Sequence, residues 1–161
     1  MTTIRHAFVG GAVVACAVTM GSAPAIAGSA VPAVSHREAS PAVDPVQTFQ
    51  NQNTGRCIDD TNQGFRTWGC NGTPPQSWRV HVFNDGTRRL QSVNTGRCVF
   101  DSNGGFRTVS PCDSSTNQSW VIDHPGGQVA FRNQATQRCI DDTNQGFRTW
   151  GCNRTPAQQW H

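Results

Sequence analysis

The sequence predicts an all-β domain made of three repeats that close into a three-fold barrel. Three observations carry this expectation. Cys57, Cys98 and Cys139 recur at intervals of 41 and 41 residues, and Trp78, Trp120 and Trp160 follow at 42 and 40. Gly, Asn, Asp and Pro interrupt the chain every five to ten residues, so the runs between them are short. No apolar stripe persists at helical spacing, which points to short strands joined by turns. Three units of about forty residues are too few blades for an ordinary propeller, and a closed barrel fits better.

Ahead of the repeats, residues 1–27 have the pattern of a signal peptide. Arg5 and His6 give a basic start, Ala7 to Ala23 is apolar and rich in small residues, and Ala25-Ile26-Ala27 is a small-x-small cleavage pattern. The glycines within it and the polar sequence after it argue against a retained membrane span. Val13-Val14-Ala15-Cys16 loosely resembles a lipobox, which would lipidate Cys16. The sequence from Ala17 to Ala27 stays apolar, so soluble secretion is favoured over a lipid anchor. Residues 28–46, with Pro32, Pro41 and Pro45, show neither repeat nor apolar pattern and are expected to be a flexible stalk. The domain is then 47–161, with repeats at about 47–87, 88–128 and 129–161.

Every repeat runs through the same landmarks. A strand-like segment opens it (Phe49-Gln50-Asn51, Leu90-Gln91-Ser92, Phe131-Arg132-Asn133), and a turn follows. Next come Arg-Cys, a Phe-Arg-Thr segment at Phe65, Phe106 or Phe147, the second Cys, and a Gln-x-Trp close. Only Arg79-Val80-His81-Val82 and its middle counterpart continue past the closing Trp. The third repeat stops one residue after Trp160, so barrel closure is expected to be compromised there.

Without the leader six cysteines remain, an even number that implies a disulfide framework in an exported chain. No C-x2-C pair occurs and the histidines lie away from the cysteines, so disulfides are favoured over a zinc site. The first cysteine of each repeat precedes the second by 13 or 14 positions, and pairing within repeats (Cys57–Cys70, Cys98–Cys112, Cys139–Cys152) is the economical arrangement. Closing a loop of that size stabilises by roughly 3 kcal/mol in the chain-entropy model, which matters for so thin a core. The net charge is +3 and the arginines are dispersed, so no basic patch for nucleic acid is visible.

Three units of this length, each with a Cys pair and a Gln-x-Trp close, resemble the ricin B-chain-type β-trefoil lectins. The resemblance covers the whole domain after the stalk. Eleven residues separate Cys57 from Trp68, a gap shorter than in the plant forms and similar to that of compact actinomycete lectins of the same fold. The resemblance implies one shallow sugar pocket per repeat. An Asp two residues after the first Cys accepts hydrogen bonds from vicinal hydroxyls, and an aromatic two residues before the second Cys covers the apolar face of the sugar. In the first repeat these are Asp59 and Trp68, with Asn71 and Gln76 as secondary polar groups. The third repeat supplies Asp141, Trp150, Asn153 and Gln158. Pro75 and Ala157 stand where the family often has an Asn before the Gln, and Asn71 and Asn153 are expected to substitute for it. In the middle repeat Phe100 replaces the Asp, Val109 or Ser110 replaces the Trp, and Asp113 replaces the Asn, so no site is expected there.

Other residues have plainer roles. Trp78, Trp120 and Trp160 recur in every repeat and are assigned to the core. Gln76, Gln118 and Gln158 recur too, and for them a structural hydrogen bond is favoured over ligand contact. Asp60, Asp101 and Asp142 are expected to stabilise the turn that follows each. Arg66, Arg107 and Arg148 either pair with those Asp residues or project to solvent. Asp60-x-Asn62-x-Gly64 and its copy at Asp142 share the start of a calcium loop but lack the terminal Glu, and no metal or cofactor is expected. Adjacent Asp59 and Asp60 point to opposite faces of a strand and make no acid–base pair, and no nucleophile motif occurs. The expected function is a secreted, non-enzymatic lectin for glycans or polysaccharides with two matched sites. The rival readings are a β-trefoil protein-binding or protease-inhibitory scaffold, and a targeting subunit of a larger secreted toxin or enzyme complex.

Overall fold

The computed structural model describes residues 43–161, and the expected signal peptide, Cys16 and residues 28–42 lie outside it. Eleven strands follow in chain order: β1 (Val46–Gln47), β2 (Arg56–Thr61), β3 (Gly64–Gly69), β4 (Trp78–Val82), β5 (Arg88–Ser92), β6 (Cys98–Ser102), β7 (Gly105–Val109), β8 (Trp120–Asp123), β9 (Ala130–Asn133), β10 (Arg138–Thr143) and β11 (Gly146–Gly151). A single 3-10 turn precedes Ser77 and Gln159, at Pro74–Gln76 and Pro156–Gln158. Proline opens both turns, because its fixed φ suits a first helical position and its missing N–H is not needed there.

The barrel closes at its three tryptophans. Trp78 is paired antiparallel with Gln47 and Ser92, Trp120 with Arg88 and Asn133, and Trp160 with Val129 and Asn51. Closure is therefore not compromised in the third repeat, contrary to the expectation from the short sequence after Trp160. The backbones of Gln50 and His161 also exchange two hydrogen bonds, at 2.9 and 3.1 Å. The end of the expected stalk is likewise part of the domain. Pro45 O accepts from Val80 N at 2.8 Å, and Asp44 lies 3.0 Å from His81 Nδ1.

Three hairpins, β2–β3, β6–β7 and β10–β11, cap one end of the barrel, each with a two-residue turn between its strands. Alternation along these strands sends Phe65, Phe106 and Phe147 inward, where their rings meet edge to face with all three centroid distances at 5.0 Å. Each such pair adds about 0.5–1.5 kcal/mol beyond the area it buries. Behind them lie the fully buried Trp78, Trp120 and Trp160, whose indole N–H groups donate to the carbonyls of Ile58, Val99 and Ile140. That bond satisfies the one polar atom of each indole in the core.

Each hairpin also holds the next repeat. The fully buried Asp60 carboxylate accepts from Arg97 Nη2 at 2.7 Å, from Thr108 Oγ1 at 3.0 Å and from Thr95 Oγ1. Asp101 holds Arg138, Thr149 and Thr136 in the same way, and Asp142 holds Arg56, Thr67 and Thr54. These carboxylates fasten the first repeat to the second, the second to the third and the third to the first. They do not serve the turn that follows each of them, nor do Arg66, Arg107 or Arg148 pair with them. The three disulfides lie within repeats, Cys57–Cys70, Cys98–Cys112 and Cys139–Cys152.

Candidate functional site

The register of β2 and β3 sets Cys57 opposite Trp68 and Asp59 opposite Arg66. Cross-strand partners share a face, and so do residues two apart on one strand. Asp59, Arg66 and Trp68 therefore stand on one face of the hairpin beside the disulfide, while Ile58 and Thr67 take the other. The third repeat reproduces the register, with Asp141 opposite Arg148 and Cys139 opposite Trp150.

Trp68 and Trp150 are 54% and 55% exposed, unusual for the largest apolar side chain in so small a domain. The guanidinium of Arg66 lies 4.5 Å from the centroid of the Trp68 ring, and that of Arg148 lies 4.5 Å from Trp150. Each arginine also donates from Nε to a carboxylate: Arg66 to Asp59 Oδ1 at 3.3 Å, Arg148 to Asp141 Oδ1 at 3.4 Å. Asp59 and Asp141 are nearly enclosed, 3% exposed each. Their other oxygen accepts from the glutamine, Gln76 Nε2 at 3.4 Å and Gln158 Nε2 at 3.3 Å. A carboxylate has about four lone-pair sites, so each Asp keeps acceptor capacity beyond these two bonds.

Gln76 and Gln158 themselves are buried, 0% and 1% exposed. Their Oε1 accepts from the backbone N–H of Asn71 or Asn153 at 2.8 Å, and their Nε2 also donates to Gly69 O or Gly151 O at 3.0 Å. They fix the Asp and the segment after the second cysteine from within. Asn71 and Asn153 are exposed, and each side-chain oxygen is held by Thr73 or Thr155. The Nδ2 donor of each has no partner among the described residues.

The middle repeat lacks this arrangement. Phe100 faces Arg107, whose guanidinium lies 4.6 Å over the phenyl ring, and Val109 stands opposite Cys98 where Trp68 and Trp150 stand in the others. Val109, not Ser110, is thus the tryptophan's counterpart. Gln118 keeps its scaffold bonds, to Asp113 N at 3.0 Å and Pro111 O at 3.2 Å. Asp60 and Asp142, which begin the calcium-like spacing, are consumed by Arg and Thr, and no group of His, Cys, Asp or Glu fit to hold a metal occurs among the described residues.

Residues 45–160 match the family model described as the Ricin-type beta-trefoil lectin domain. The chain belongs to that family. Solved structures share its β-trefoil at low identity. ThreeFoil, a designed 3-fold symmetric protein, is 17% identical with a TM-score of 0.64, over 71% of this chain and 95% of that one. The Macrolepiota procera ricin B-like lectin, solved in complex with lactose, is 14% identical with a TM-score of 0.61, over 76% of this chain and 96% of its own. An endo-β-galactosidase from Clostridium perfringens is 14% identical with a TM-score of 0.65 over 72% of this chain, which spans only 31% of that enzyme. No curated protein matches the chain. Among Ricin-type beta-trefoil lectin domains this one carries two like constellations, Asp59–Arg66–Trp68 and Asp141–Arg148–Trp150.

Proposed function

We propose that this domain is a secreted lectin that binds glycans through two matched sites, one on the first repeat and one on the third. The observation that carries the reading is the half-exposed tryptophan seated beside an enclosed, pre-ordered carboxylate, present in two repeats and absent from the one between. An aromatic face covers the C–H face of a pyranose at little entropic cost, and the carboxylate beside it accepts from vicinal hydroxyls. Trp68 and Trp150 are the platforms and Asp59 and Asp141 the acceptors. Arg66 and Arg148 join the site as donors, and the Nδ2 groups of Asn71 and Asn153 supply one more donor each. Gln76 and Gln158 act behind the carboxylates.

Two sites on one rigid body raise avidity for polymeric or clustered glycans, whereas each shallow pocket alone binds weakly. The lactose held by one structural neighbour supports a neutral hexose as the first ligand to try. Three disulfides in a small domain support export to an oxidising compartment. The test is a panel of polysaccharides and arrayed glycans, read with the parent protein and with Trp68→Ala/Trp150→Ala. The parent should retain at least one glycan and the double variant none. A folded double variant that binds everything the parent binds would sink the site assignment. Tight protease inhibition without glycan binding would establish the rival scaffold reading.

A further inference from the structure

The geometry points to an unequal pair: the third-repeat site continues into a cationic cleft that takes an anionic sugar residue next to the one on Trp150. This rests on the reading of Trp150 as a sugar platform and concerns what lies beside it. The segments from Arg56 to Asn71 and from Arg138 to Asn153 are identical in sequence, and the bonds that Arg and Gln make around each Asp agree to about 0.1 Å. Any difference in ligand preference must therefore come from residues around the hairpins.

Those surroundings differ. A cleft of about 640 Å³ runs from the β8–β9 hairpin to the Cys139–Cys152 disulfide, and its wall includes Asp123, His124, Arg132, Arg154 and Gln158. That volume lies within the range of small-ligand sites. Cys139 and Cys152 line the cleft, and Cys139 stands opposite Trp150 across the β10–β11 hairpin, so the cleft and the sugar site adjoin at the disulfide. The counterparts of Arg132 and Arg154 in the first repeat are Gln50 and Gly72, neither of them charged.

Arg132 is matched by Asp123 at 3.3 Å and by Gln137 Oε1 at 2.5 Å. Arg154 differs: its guanidinium has neither an ion pair nor a hydrogen bond among the described residues. It also occupies a costly backbone position, with φ at 59°, where the first repeat has Gly72 at 68°. A non-glycine residue in the left-handed region is uncommon and strained. An unpartnered guanidinium on a strained backbone, lining a polar cleft that abuts a sugar platform, has the donor set for a carboxylate or sulfate. A sugar carrying either group, linked to the residue on Trp150, is the occupant this chemistry selects.

Single-site variants isolate the effect. Trp68→Ala leaves the third site alone, and Trp150→Ala leaves the first. The probes are the neutral hexose polymer ranked highest in the glycan panel, galactan in the first instance, and the same polymer oxidised at C6 to the uronate. A 6-O-sulfated form tells carboxylate from sulfate. The third-site protein should prefer an anionic form about five-fold, with the preference fading in salt, and the first-site protein should show none. Arg154→Gly in the third-site background should erase the preference and keep neutral binding; the change restores the Gly72 sequence at a position that favours glycine, so folding is not at risk. Equal affinity of the third-site protein for neutral and anionic polymers, or a preference that survives Arg154→Gly, overturns the inference and leaves the sugar reading intact. Failure of the parent to bind any glycan in the panel removes the sugar reading and this inference with it.

Discussion

Asp101 and Arg138, in neighbouring repeats, form a two-pronged ion pair with Nε at 3.0 Å and Nη2 at 2.7 Å from the carboxylate. The Asp101 side chain is fully buried and the Arg138 side chain 34% exposed. Removing the carboxylate leaves the part-exposed guanidinium and the Thr136 and Thr149 hydroxyls without their acceptor, which costs about 1–3 kcal/mol. Asp101→Ala should lose that much in urea-induced unfolding. Asp101 belongs to the repeat without a site, so whatever remains folded should keep glycan affinity.

The two platforms separate affinity from avidity. Trp68→Ala and Trp150→Ala should each leave the urea midpoint close to the parent's, because half-exposed side chains carry little core packing. Each should still bind a soluble monovalent sugar, with half the parent's stoichiometry in calorimetry. On an immobilised polysaccharide each should lose more than ten-fold in retention, since the intramolecular second contact is gone. Equal retention by the parent and both single variants would show that attachment at two sites adds nothing, and loss in only one variant would show that its site alone does the binding.

The glutamines distinguish scaffold from contact. Gln76→Ala leaves Asn71 N and Gly69 O without their partner in a part-buried place, and one Asp59 oxygen without its partner in a buried one. A cost of about 1–3 kcal/mol in stability is expected, together with weaker sugar binding as Asp59 loosens. Gln118→Ala, in the middle repeat, should cost a similar amount of stability and change binding not at all. A Gln76→Ala protein as stable as the parent would contradict the scaffold role.

The repeat spacing made the three-fold architecture legible, because cysteine and tryptophan periods need no side-chain geometry. The Asp–Trp pairs were legible for a different reason: Asp59 and Trp68 vanish together in the middle repeat. What stayed hidden depends on strand register. A two-residue turn at Asn62 and Gln63 sets 59 opposite 66 and 60 opposite 65, so the partner of Arg66 is Asp59 and not Asp60. That arithmetic was available in the sequence, since Gly64 marks the hairpin. The reach of Asp60 to Arg97 was not, because it joins two repeats through barrel closure. Closure at Trp160 was hidden likewise, since its partner Asn51 comes from the opposite end of the domain.

Two turn carboxylates should titrate low. The Thr87 hydroxyl, then its backbone N–H, hold Asp85 below its usual value of 3.8, and Ser115 does the same for Asp113. A depressed folded pKa means that the stabilising contribution is present above 3.8 and is lost as pH falls through the lower folded value. Carboxyl-carbon NMR titration should place both below 3.8, and Thr87→Ala should return Asp85 towards it while Asp113 stays unmoved.

The middle repeat offers a constructive test, because its backbone already matches. Phe100 faces Arg107 as Asp59 faces Arg66, and Val109 faces Cys98 as Trp68 faces Cys57. Gln118 is in place behind them, and Asp113 holds Ser115 N at 2.9 Å as Asn71 holds Thr73. Phe100→Asp, Val109→Trp and Asp113→Asn together supply the missing carboxylate, platform and amide donor. Arg107 then exchanges the phenyl ring for a carboxylate and an indole, the partners Arg66 has. Calorimetry with a monovalent sugar should count three sites instead of two, and retention on a polysaccharide should rise. An unchanged count in a folded triple variant would mean that the site needs more than Asp, Arg, Trp and Asn in this register. The longer loop before Cys112, 14 residues from Cys98 where the other repeats have 13, would then be the first difference to remove.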